Sequence, residues 1–238
     1  MINVPRNVLL FGLPIQLEHE LGTIYQPIIK DFNSFDLNKL VRSFNIKKET
    51  FFDIGKVPEG LKDFDLFFIE SLSFLLEDLL KSLSLLYKCK LEDMKLTVIE
   101  GYPVLTTSDK KFVLHRENYA YLCKIISIML DIEYVETDEK GEMTEIEKII
   151  AERRAKWERE HPKKEEDGYS IYDLIDYVLH ADGTTYTYDS IQELTIYQVK
   201  NTSKLYSKKE SYRLFMEYKT SGQFNIEEEK PHWFFDKK

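Results

Sequence analysis

The chain has 238 residues, enough for one large domain or a domain with an appended module, and 43% of them are hydrophobic, which allows a substantial core. With 33 Lys and Arg against 42 Asp and Glu the formal net charge is -9, which disfavours a general nucleic-acid binder, whose phosphate contacts need a basic face. Two cysteines, Cys89 and Cys123, are too few for a disulfide framework, and both sit beside apolar segments as buried thiols of a reducing compartment would.

Met1 to Phe11 is apolar but lacks a basic leader and a small-residue cleavage site, so secretion by a cleaved signal is not expected. Val8-Leu9-Leu10-Phe11, a Gly-Leu-Pro turn and the alternating Ile15-Gln16-Leu17-Glu18 read as a β-hairpin. Tyr25-Gln26-Pro27 leads into a helix from about Ile28, because proline at a first helical position loses no hydrogen bond that the helix needs. Asp36 caps a second helix, with Leu37, Leu40, Val41 and Phe44 at i, i+3, i+4 and i+7.

Leu61 to Tyr87 is apolar on most sides, as expected of a helix buried in mid-domain, with a break near Glu70 to Ser73. Phe64 to Leu86 is interrupted by Asp65, Glu70, Glu77, Asp78 and Lys81, so it is not a membrane span, which needs roughly 20 nearly uncharged residues. Leu96 to Ile99, Val104 to Thr106 and Phe112 to Leu114 predict a small β-meander. Asn118 then precedes Tyr121, Leu122, Ile125, Ile126 and Met129 on one helical face. Thr144 with Glu147 opens a charged helix carrying Ile146, Ile149, Ile150 and Trp157.

Glu158 to Gly168 holds eight charged residues in eleven, with a proline and a glycine, and reads as a linker. The expected organisation is an N-terminal α+β domain over 1–160, a charged linker over 161–168 and a C-terminal three-helix module with an aromatic tail over 169–238. The fold class is α+β, mostly α-helical, with one small antiparallel β element. In the module, Ser170 caps a helix with Ile171, Leu174, Ile175, Val178 and Leu179 in register, ended by Gly183. Asp189 with Gln192 is the expected box for a second helix carrying Ile191, Leu194, Gln198 and Leu205, and a third starts at Glu210 and stops at Gly222.

The five histidines lie apart from one another and from both cysteines, so neither a metal site nor a cofactor is expected. Phosphate-cradling glycine loops and a Gly-x-Ser-x-Gly elbow are missing from the sequence. An enzyme of unknown chemistry would have to gather Asp173, Asp176 and His180 in a pocket; without a nucleophile the expectation is no enzyme. What the chain has in quantity is aromatic surface, with 15 Tyr and 15 Phe.

Four segments in order resemble the tail assembly chaperone type of protein encoded by bacteriophages and prophages of Gram-positive bacteria, ahead of the tape-measure gene. They are Ile24-Tyr25-Gln26-Pro27-Ile28-Ile29-Lys30-Asp31-Phe32, Phe64-Asp65-Leu66-Phe67, Leu194-Thr195-Ile196-Tyr197-Gln198 and His232-Trp233. The resemblance implies a non-enzymatic factor of the host bacterial cytoplasm that holds the tape-measure protein soluble while tail-tube subunits polymerise around it, with self-association possible. A head-tail connector or baseplate protein is the alternative. On the residues themselves, Tyr197, Gln198, Tyr206, Tyr212, Trp233 and Phe234 are the expected partner-binding side chains, gripping amphipathic helices of the partner.

Overall fold

The computed structural model describes residues 4–52, 58, 60–134 and 170–221, and over these the chain is mostly helical with two small antiparallel sheets, an α+β arrangement. In order come α1 (Arg6–Leu10), β1 (Ile15–Gln16), β2 (Thr23–Ile24), α2 (Leu37–Phe44), α3 (Ser73–Tyr87), β3 (Met94–Ile99), β4 (Tyr102–Thr107), β5 (Val113–Leu114), α4 (Tyr119–Leu130), α5 (Ile171–His180), α6 (Tyr188–Ile191) and α7 (Ile196–Ser221). No helix among the described residues is long and apolar enough to cross a membrane.

Helix α3 is the centre of the core because Leu75, Leu79, Leu83 and Leu86 recur at helical spacing and are all fully buried. The expected break at 70–73 is real: two 3-10 turns, Asp63–Phe68 and Glu70–Leu72, lead into α3. The first delivers Phe64 and Phe67 to Tyr119 at the start of α4, with ring centroids 5.4 and 5.7 Å away. The Tyr119 hydroxyl donates to the Ser43 carbonyl at 2.6 Å, tying α4 to α2. Asp36 caps α2 by accepting from the Asn38 amide at 2.9 Å. Between α2 and α3 the buried Asp78 carboxylate meets Lys39 at 3.4 Å and also Arg42, so this buried charge is paired.

The meander forms as expected, in the order β3-β4-β5, but the N-terminal hairpin does not. Val8 to Leu10 belong to α1, and Ile15–Gln16 pairs instead with Thr23–Ile24. A four-residue apolar run carries no period that separates strand from helix. Here only Leu9 of α1 is buried, and it packs as one face of a single helical turn. The helix expected from Ile28 is a 3-10 turn, Ile29–Asn33, because Ile28 itself stays extended in a bridge to Thr195 while Asp31 accepts from its amide at 2.9 Å.

Both thiols are buried, as expected, and burial pushes Cys123 up to about 12 and raises Cys89 as well. Neither is therefore a thiolate at neutral pH. Ellman titration of the native chain at pH 8 should leave Cys123 unmodified until denaturant is added; rapid labelling of both thiols without denaturant would contradict this packing.

In the C-terminal part, Ser170 and Asp173 form a reciprocal capping box on α5, with the Asp173 carboxylate accepting from the Ser170 amide at 2.7 Å. The box expected at Asp189 and Gln192 lies two residues earlier, at Thr187 and Ser190, and opens only the single turn α6. The second and third expected helices are one: α7 runs unbroken through Glu210, since no glycine or proline lies between Ile196 and Ser221 and Arg213 bridges Glu210 and Glu217 along its surface. The helix expected from Thr144, the linker from Glu158, and Trp233 and Phe234 lie outside the described residues.

Candidate functional site

The segments around Ile28 and Thr195, 167 residues apart in the chain, meet in one joint. Ile28 forms its bridge with Thr195, the Ile29 amide donates to the Leu194 carbonyl at 2.9 Å, and the Lys30 amide donates to Gln192 at 3.0 Å. Two glutamines then hold the carbonyls at the end of α1. Gln26 donates to Val8 and Leu13 at 2.9 and 2.8 Å, and Gln198 donates to Leu10 at 2.7 Å. A short helix leaves its last carbonyls without intrahelical partners, and side-chain amides satisfy them.

Gln198 has a second task at its other end. Its side-chain oxygen accepts from the Thr195 amide at 2.7 Å while the Thr195 hydroxyl accepts from the Gln198 amide at 3.2 Å, a capping box that starts α7. Two residues on, the Lys200 ammonium donates to the carbonyls of Leu130 and Asp131 at 3.0 Å each, closing the C-terminal end of α4. Burial lowers the Lys200 pKa. Gln198→Ala should cost about 1–2 kcal/mol through the lost cap and bridge. In hydrogen exchange the amides of 196–200 should lose protection while those of α3 keep theirs, and unchanged protection at 196–200 would contradict the joint.

Tyr197 is half-buried beside this joint and packs on the main core, so it and Gln198 face the molecule's own interior. Tyr206 is half-buried against the small cluster of Val178, Ile191 and Val199 that joins α5 to α7. Tyr212 lies farther along α7, half-buried at a shallow groove of about 420 Å³ with Arg213 and Met216. Tyr197 and Tyr212 are about 22 Å apart along the helix axis, so these rings do not form one patch.

Among the described residues of the C-terminal part, the most exposed rings lie outside the expected partner-binding set: Tyr172 on α5 and Tyr188 on α6, each 65% exposed, with Tyr218 at 50% near the end of α7. Leu205, Leu214 and Met216 are exposed on α7 as well. The signal for Tyr172 and Tyr177 was present, since both fall off the stripe of Ile171, Leu174, Ile175 and Val178 that marks the buried face. Between α5 and α7 runs a groove of about 340 Å³ lined by Tyr177, His180, Tyr206, Lys209 and Arg213. Burial raises the Tyr177 pKa, with Glu210 adding to it.

Asp173, Asp176 and His180 all lie on α5, and the contacts of Asp173 and His180 are local to it. The Asp173 carboxylate belongs to the cap of α5, and His180 Nδ1 lies 2.8 Å from the Asp176 backbone carbonyl, not from its carboxylate. No group of three or more His, Cys, Asp or Glu side chains positioned to hold a metal occurs among the described residues. A third, wider groove of about 700 Å³ beside α1 is lined by Val4, Val8, Ile15, His19 and Tyr121, with His19 edge-on to the Tyr121 ring at 5.0 Å.

Residues 162–237 match the family model described as the YomV second domain, a phage- and prophage-associated family. The match covers about one third of the chain and takes in α5, α6 and α7. It is a likeness of that part alone, and it associates that part with phages. No curated protein and no solved structure matches the chain.

Proposed function

We propose that this protein is a non-enzymatic phage tail assembly chaperone that binds the tape-measure protein and keeps it soluble in the host cytoplasm while tail-tube subunits assemble. The observation that carries the reading is the outward placement of apolar and aromatic side chains on α5, α6 and α7, with Tyr172 and Tyr188 foremost, in the part of the chain that resembles a phage-associated domain. A long apolar helical partner needs such a surface. Amphipathic helices dock by placing apolar side chains at i, i+3, i+4 and i+7 into a groove, and tyrosine supplies contact area at low entropic cost. The net charge of -9 keeps the loaded complex soluble.

Buried tyrosines at the centre of an interface contribute about 2 kcal/mol or more on truncation. Tyr172→Ala with Tyr188→Ala should therefore weaken binding to the tape-measure product of the same genome by about 30-fold or more, at unchanged Tm. Titration calorimetry with the purified pair reads both; unaltered affinity would remove these rings from the interface. The alternative, a head-tail connector or baseplate protein, makes the same surface a permanent subunit contact. Mass spectrometry of purified particles separates the two, since a chaperone is absent from them and a connector is present in fixed copy number.

A further inference from the structure

Strand β3 is the outer strand of its sheet, paired with β4 on one side and with no strand on the other among the described residues. Edge strands of soluble proteins are guarded by charges, proline, bulges or a covering element. Between Met94 and Ile99 the only guard is Lys95. Every residue from Lys95 to Ile99 is exposed, and the apolar ones strongly so: Leu96 at 52%, Val98 at 69% and Ile99 at 56%.

The hairpin geometry says which backbone groups face outward. Glu100 and Gly101 both have positive φ, at 52° and 83°, and form the two-residue loop that Ile99 and Tyr102 close. The closing pair of such a loop is hydrogen-bonded, and bonded pairs alternate along an antiparallel ladder. Lys95, Thr97 and Ile99 therefore turn their backbone groups to β4, whereas Met94, Leu96 and Val98 turn theirs to the open side.

We propose that β3 pairs antiparallel with β3 of a second copy of this chain, about a two-fold axis through Thr97, so that two three-stranded sheets become one of six strands. The pairing goes beyond the chaperone reading and does not depend on it. A two-fold axis normal to the sheet keeps each face on its own side, so residues of like parity must oppose one another. Centred on Thr97, Leu96 lies opposite Val98 of the second copy, and both present outward backbone groups, as a hydrogen-bonded pair requires. Because Leu96 stands beside Leu105 and Val98 beside Pro103, the join builds an unbroken apolar row across four strands, twice by symmetry.

Charge agrees with this occupant. The two Lys95 side chains stand at opposite ends of the join, each across from Ile99 of the other copy, so the like charges are kept apart. A strand about 20 Å long covers only a few hundred Å² per copy, less than the roughly 800 Å² per partner of a standard stable complex. The dimer is therefore weak and concentration-dependent.

Thr97→Cys tests the register directly. Across the axis the two Thr97 residues form a non-bonded pair with Cα atoms about 4.5 Å apart, within the range that a disulfide spans, and the native thiols are buried. Mild oxidation of the full-length Thr97→Cys chain at about 100 µM should give a covalent dimer, and sedimentation velocity of the unmodified chain should show a dimer fraction growing with concentration. Val98→Pro removes an outward N–H that β4 does not use and should lower cross-linking at least ten-fold without lowering Tm. Leu96→Glu combined with Val98→Glu should do the same by charge. A chain that stays monomeric and uncross-linked overturns the proposal, as does cross-linking indifferent to both edge variants, or an edge that accepts only a foreign strand.

Discussion

Gly22→Ala is expected to destabilise the fold by about 3 kcal/mol or more, lowering Tm by roughly 6–12 °C for a chain of this size. Gly22 has φ +66°, in the left-handed region that costs an L-residue roughly 1–2 kcal/mol, and a Cβ added there would run into the backbone carbonyl of Lys111. The neighbour cannot withdraw. Lys111 sits in the turn before β5, where the Val113 amide donates to the Glu20 carbonyl at 2.9 Å and the Asn118 side chain donates to His19 and Val113 at 3.0 and 2.8 Å. Gly22 itself accepts from the Leu17 amide at 2.7 Å, closing the turn between β1 and β2. Thermal unfolding of the variant checks this, and a Tm within 2 °C of the parent's would mean that the two backbones are not in contact.

Phe64→Ala is the second large loss, about 3–5 kcal/mol. The Phe64 ring is fully buried between Phe68 and Tyr119, with centroids 5.2 and 5.4 Å away, and it reaches Phe67 at 6.1 Å. Its removal leaves a void that the 3-10 turn cannot close, because Asp65 in the same turn accepts from the Lys62 amide at 2.9 Å and pairs with Arg116 at 3.2 Å. Urea unfolding should show a lower midpoint with an unchanged slope, and Phe64→Leu should lose much less. A Phe64→Ala loss below about 1 kcal/mol would place the ring outside the core. Since total stability is only about 5–15 kcal/mol, either change removes a large share of it.

Elements with a local signature were legible in the sequence. Asp36 before α2 and Ser170 before α5 each specify a helix start through groups a few residues apart, and both caps formed as expected. The N-terminal hairpin was misread because its true second strand, Thr23–Ile24, is two residues long and is held by the approach of Gly22 to Lys111, a contact nearly 90 residues distant in sequence. The start of α7 was expected at Asp189 rather than Ile196 because capping boxes compete in a stretch rich in Thr, Ser, Asp and Gln. Thr195 with Gln198 prevailed where the Gln198 side chain also found Leu10.

The same long-range physics explains the candidate site. Tyr-Gln pairs at 25–26 and 197–198 look identical in sequence to recognition side chains, yet both glutamines bind the chain's own carbonyls, and Gln198 thereby ties the start of α7 to α1. A sequence pattern reports that amide and ring are present; only the fold decides whether they face inward. The exposed rings at Tyr172 and Tyr188 are legible once the buried stripe of α5 is fixed, and they shift the proposed grip from the first turn of α7 to the outer faces of α5 and α6.

The central claim is that this outer surface holds a tape-measure protein in solution. Co-expression of the full-length chain with the tape-measure product of the same genome tests it most directly, by the fraction of that product that remains soluble and co-purifies. Soluble recovery as a complex, lost when Tyr172 and Tyr188 are replaced by serine, is the predicted result. A tape-measure product that precipitates equally with and without the chain would contradict it.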